Sequence, residues 1–141
     1  MTQNQYLGAD LTPIIAAGTP EDYNLELIKA LATVAENNAP ERVHGLAESI
    51  LERKPHLVGL QEMYLFECFE AGTAAADCSL FDAAMNDHLG LTLSTLGSEY
   101  YVAGVVNYLD LPGLPVFLDD DPFPDVFIRV LDRDVILARS D

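Results

Sequence analysis

At 141 residues, half of them hydrophobic, the chain is long enough to bury a core and too apolar to stay disordered. Its 23 acidic and 7 basic residues give a formal net charge of −16, which repels polyanions and argues against nucleic acid as a partner. No apolar run reaches the length of a membrane span and no signal segment is read before Thr2, so one soluble domain, 1–141, is expected, cytoplasmic unless a leader has been removed for export.

In chain order, 1–8 read as a short strand and turn ending at Gly8, followed by a loop with a helical turn around Thr12-Pro13. Thr19-Pro20-Glu21-Asp22 is a helix start: a capping hydroxyl, proline at the first position, then two acids at the positive end of the dipole. With Leu25, Ile28, Leu31 and Val34 behind it, the pattern predicts a helix over 20–36. Asn38-Ala39-Pro40-Glu41 opens a second helix, 40–53, whose apolar stripe is Val43, Leu46, Ile50 and Leu51. The run 57–60 is apolar at every position and reads as a strand covered on both faces.

Residues 63–77 carry no period and read as a loop. Ser79, with Asp82 three residues on, predicts a capped helix over 80–96 with Phe81, Met85, Leu89, Leu93 and Leu96 on its buried side. The stretch 99–106 reads as a second buried strand, broken afterwards by Pro112 and Pro115. The acidic segment 118–124 lacks the glycine and distal glutamate of a calcium loop and reads as a solvated surface. Residues 126–130 and 135–138 are the last strands, separated by Leu131-Asp132-Arg133. This order implies an α/β protein: a mixed sheet with helices on one face.

Glu62 stands at the carboxyl end of a buried strand, where open α/β sheets place their chemistry. A carboxylate there needs a cation, a donor or water. It reads either as a divalent-metal ligand with Gln61 as a polar neighbour, or as a strand-end acid facing solvent. Cys68 and Cys78 do not have zinc spacing; they read as two inert thiols, or as a staple across the loop between them if the protein is exported. His44 and His56 read as boundary residues, and His88 as a partly buried, hydrogen-bonded ring; none adjoins a nucleophile.

Three blocks recur in a known order: Thr2-Gln3-Asn4-Gln5-Tyr6-Leu7-Gly8-Ala9-Asp10-Leu11, then Leu57-Val58-Gly59-Leu60-Gln61-Glu62, then Asp132-Arg133-Asp134-Val135-Ile136-Leu137-Ala138-Arg139. Together they resemble the endonuclease/exonuclease/phosphatase superfamily (the deoxyribonuclease I-like fold), and the likeness runs along essentially the whole chain. The resemblance implies Mg²⁺-dependent phosphoester hydrolysis, with Asn4 and Glu62 at the metal and the scissile phosphate. It gives Asp132 and Asp134 no catalytic role; they read as partners of Arg133 or Arg139. The intact family fold is a four-layer α/β/β/α sandwich. Its His, Asp-x-Asn and Ser-Asp-His blocks follow the strand matched by Asp134 to Arg139. The chain therefore resembles the N-terminal half alone, expected to bind Mg²⁺ weakly and to be inactive by itself. The alternatives are a non-catalytic homodimer or partner-binding protein, or one half of a split phosphodiesterase completed by another chain. A left-over sheet face would favour a homodimer, with Val58, Val102, Val105 and Val135 as contact candidates.

Overall fold

The computed structural model describes residues 1–141. Its elements are β1 (Thr2–Asn4), α1 (Thr12–Ile15), α2 (Pro20–Glu36), α3 (Ala39–Arg53), β2 (Leu57–Gln61), β3 (Leu65–Glu70), α4 (His88–Leu96), β4 (Tyr100–Val116) and β5 (Val126–Arg139). Short 3-10 turns at Cys78–Ala84 and Gly97–Glu99 flank α4. The five strands form one mixed sheet, so the α/β class read from the sequence holds.

β5 is the spine of that sheet. Its first half pairs antiparallel with β3 (Phe66↔Val130, Cys68↔Ile128) and its second half with β2 (Val58↔Leu137, Leu60↔Val135). β4 runs antiparallel along the other edge of β5, from Tyr100↔Arg139 to Val116↔Val126. β1 adds a parallel edge beside β2, with Asn4 level with Gln61.

The helices start where their capping chemistry says. The Thr19 side chain accepts from the Asp22 N–H, and that of Asn38 from the Glu41 N–H, each with proline in the first turn behind it. α2 lays Leu27, Leu31 and Val34 against Phe66, Val116, Val126, Ile128 and Val130. α3 and α4 lay Ala47, Ile50 and Leu96 against Val58, Leu60, Val135, Leu137 and Tyr100. The α2 cluster uses Val126, Ile128 and Val130 of β5 and the α3–α4 cluster uses Val135 and Leu137, so the two clusters take opposite alternate sets of that strand. No helix is long and apolar enough to cross a membrane.

Four local expectations change. The helix expected over 80–96 is interrupted at Met85 to Asp87, because tertiary pairing claims that stretch. Phe66 N–H donates to Asn86 O (3.0 Å), His88 N–H donates to Tyr64 O (3.0 Å), and Leu65 bridges Asp87. The capping residues are accordingly Asp77 and Asp87 rather than Ser79. Gly90 makes room for the second cap: a Cβ there would stand 2.9 Å from the Asp87 carboxylate.

Residues 65–70 are a strand rather than loop. Their alternation is masked by Glu67, which faces away from α2 and pairs with Arg129 at 3.0 Å. β4 passes through Pro112 and Pro115, which an edge strand tolerates, with register shifts between Asn107 and Leu109 and between Leu111 and Leu114. β5 is continuous across Asp132-Arg133. Arg133 is 9% exposed and its partner is Asp87, at 2.6 Å; Arg139 pairs with Asp141. Neither arginine has its ion pair with Asp132 or Asp134, which corrects the pairing read from the sequence.

The Cys68 and Cys78 sulfurs are joined, tying β3 to the 3-10 turn. The staple reading of this pair is the one that holds.

The face of β2 and of the second half of β5 that lies away from α3 and α4 is open. Leu57, Tyr101, Val106 and Ile136 are 59, 55, 63 and 52% exposed. Registers bring them together: Leu57 and Tyr101 flank Ala138, and glycines 59 and 104 flank Ile136. Val58 and Val135 are buried and Val102 packs in the same cluster, so these three of the four expected contact residues belong to the side that α3 and α4 cover. Val105 remains half-exposed.

Candidate functional site

β1 and β2 are parallel, so their carboxyl ends lie side by side and bring Asn4 next to Glu62. Asn4 Nδ2 donates to Glu62 Oε1 at 2.9 Å, and the Leu7 backbone N–H donates to Glu62 Oε2 at 3.0 Å. Asn4 Oδ1 in turn accepts from the Tyr6 N–H at 2.7 Å. The carboxylate is held from both sides and the amide that holds it is itself held. The pair expected from the sequence is thus in direct contact.

The backbone bends sharply to allow this. Glu62 and Tyr6 adopt left-handed conformations, at φ 56° and 60°. Non-glycine residues rarely adopt them, and each costs about 1–2 kcal/mol that the surroundings must offset. For Glu62 the surroundings are the Tyr64 N–H donated to its carbonyl (2.9 Å) and the Met63 N–H donated to Arg133 O (2.9 Å).

For Tyr6, the surroundings come from α3. Arg42 donates to Gln5 O at 2.7 Å and to Asn37 O at 2.9 Å, and its guanidinium lies 5.5 Å from the Tyr6 ring. Asn37 donates to Gly8 O at 2.7 Å. Gly8 sits at φ 105°, a conformation in which a side chain would be strained.

Behind the pair the protein is polar but sealed. Gln5 and His88 are fully buried, and neither the Gln5 amide nor the His88 ring nitrogens have a hydrogen-bond partner. Burial, aided by the Arg42 and Arg133 charges, lowers the His88 pKa to about 4 against the opposing pull of the Glu62 backbone and Asp87. Burial also raises the pKa of Asp132; a hydrogen bond from Tyr64 opposes this, and the Asp134 and Glu62 charges add to it. Burial likewise raises Tyr64, reinforced by Asp132 and then by Glu62.

The donor set defines what the site can hold. Each Glu62 oxygen accepts one N–H and keeps a further lone pair, whereas Asn4 presents its N–H groups to the carboxylate and its oxygen to Tyr6. No group of three or more His, Cys, Asp or Glu side chains converges anywhere in the structure. A single oriented carboxylate suits a hard cation that keeps most of its waters, as Mg²⁺ does, and does not build an all-protein cage.

The other histidines stand apart. His44 bonds Thr95 and Glu48 on exposed helix surfaces, and His56 lies against Arg139. Sequence reading missed the Leu7 amide, because a backbone N–H leaves no trace in residue type. It missed Arg42 because nothing local marks its carbonyl partners Tyr6 and Gln5, which are 36 and 37 positions away. No family model, curated protein or solved structure matches this chain.

Proposed function

We propose that this chain carries the metal-facing Asn–Glu pair of an endonuclease/exonuclease/phosphatase-type phosphoesterase. Glu62 is the carboxylate that meets Mg²⁺, and Asn4 is the amide that fixes its orientation. The observation behind this reading is the two-sided grip on the Glu62 carboxylate at the ends of two parallel strands. When bound, the cation would supply charge stabilisation at a phosphoryl oxygen. The −16 charge favours small phosphoesters over nucleic acid.

A water-activating base is not at hand on these residues. His88 is sealed from solvent, and His44 and His56 are engaged elsewhere. Residues 1–141 with Mg²⁺ or Mn²⁺ should therefore turn over neither a generic phosphodiester nor plasmid DNA above background, unless another chain completes the site. Robust cleavage that disappears in Glu62→Gln would overturn the inactive half of this reading. The Cys68–Cys78 disulfide favours an oxidising compartment over the cytoplasm.

A second reading concerns partners, and the open sheet face supports it. Four large apolar side chains on one uncovered surface are a candidate contact, and a two-fold homodimer is the simplest closed way to cover them. A standard interface needs about 800 Å² from each partner. Light scattering at micromolar concentration should give twice the 15.4 kDa subunit mass, and Ile136→Lys should return it to one. A wild-type monomer would end this reading.

A further inference from the structure

The largest apolar feature not used above is a cavity of about 390 Å³ between α1, α2 and the outer part of β4. All fourteen residues that line it are hydrophobic. Its inner end is formed by Leu7, Leu27, Phe66 and Val130, and its mouth by Ile15 and Leu109, which are 83 and 40% exposed. Tyr23 is the only lining residue whose side chain carries a polar atom. Walls of this chemistry offer water few hydrogen-bond partners; an enclosed apolar void of about 150 Å³ takes up benzene or xenon rather than water. At 390 Å³ the space lies within the range of genuine small-molecule sites, about 300–1,000 Å³.

We propose that this cavity binds a single aliphatic chain, tail first, with a neutral or zwitterionic head group left at the Ile15–Leu109 mouth. Three observations select that ligand. A peptide segment would bury N–H and C=O groups against walls that offer them almost no partner, which is costly. A hydrocarbon tail loses nothing there, and it fills space whose lining otherwise forfeits dispersion contacts. An anionic head group would approach a protein of charge −16. The site is independent of the metal reading, although Leu7 joins the two: its side chain lines the cavity and its N–H holds Glu62.

The test uses the full chain and the neutral dye N-phenyl-1-naphthylamine, which brightens in apolar surroundings, displaced by linear alkanols. One saturable dye site is expected. Each added methylene should strengthen displacement about fourfold until the cavity is full, after which the series flattens. Ala30→Trp, which fills the cavity from α2, should weaken dye binding at least tenfold, whereas Ile136→Lys on the open sheet face should leave it unchanged. If Ala30→Trp fails to fold, Leu109→Trp at the mouth gives the same block. Absence of a saturable dye site, or displacement indifferent to chain length, would overturn the proposal. So would dye binding that survives a folded blocking variant or is lost in Ile136→Lys.

Discussion

Arg133→Ala is expected to destabilise the protein by about 1–3 kcal/mol, the range for leaving a buried hydrogen-bonding group without its partner. The Asp87 carboxylate it pairs with is 43% exposed and adds little. Arg133 lies 9% exposed on the side of β5 that carries Val135 and Leu137 and acts as a three-way clamp. Its Nε donates to Met63 O at 2.9 Å and its Nη2 to Asp87 Oδ1 at 2.6 Å, with Tyr64 O a further 3.5 Å contact. Those groups belong to the turn after Glu62, to the segment leading into β3, and to the cap of α4. Alanine would leave the Met63 carbonyl short of a donor and would loosen the cap at once. Arg133→Met, which keeps the aliphatic stem, should recover only the packing part of the loss. The check is the urea midpoint at unchanged slope; a loss below about 1 kcal/mol would show that water replaces the guanidinium.

Acid is the second large lever. The folded pKa of His88 lies near 4, against 6.5 for the unreacted side chain. As pH falls below 6.5 the unfolded chain takes up this proton first, so the stability His88 contributes is present above that pH. It declines toward pH 4 and is constant below, where both states are protonated. At 1.36 kcal/mol per unit the loss is roughly 3 kcal/mol. Asp132 works against it, since its pKa is raised in the folded state and its protonation on acidification favours folding. The His88 share is therefore read as a difference. The stability of wild type minus that of His88→Phe, followed by urea unfolding from pH 7 to pH 4, should shrink by that amount. A difference that stays level would mean the ring is hydrated.

How much of this was legible depended on whether local chemistry decided the outcome. Thr19-Pro20 and Asn38 with Pro40 carry their caps within four residues, and α2 and α3 begin where those caps place them. The stretch 80–96 has one apolar period throughout, yet Met85 to Asp87 is drawn out to pair with the start of β3, which no local pattern encodes. Asp132-Arg133 looks like a break, but a buried arginine with three acceptors is compatible with a strand interior.

Strand parity was illegible for a different reason. Where both alternate sets are apolar, hydrophobicity cannot say which set faces in. Only the packing of α3 and α4 separates Val58 and Val135 from Leu57 and Ile136. The Asn4–Glu62 pair could be read because both residues end strands, and parallel neighbours bring such ends together. The Leu7 amide and the Arg42 clamp, which hold the loop around the pair, depend on tertiary geometry alone.

The central claim is that Glu62, oriented by Asn4 and the Leu7 amide, is a carboxylate ready for one hydrated divalent cation. Isothermal titration of the full chain with Mg²⁺ tests it most directly, beside Glu62→Gln, which keeps an acceptor for Asn4 but removes the charge. One carboxylate makes a weak octahedral site, so the expected result is a single millimolar site in the wild type and none in the variant. A micromolar site, or binding unchanged in Glu62→Gln, would contradict it.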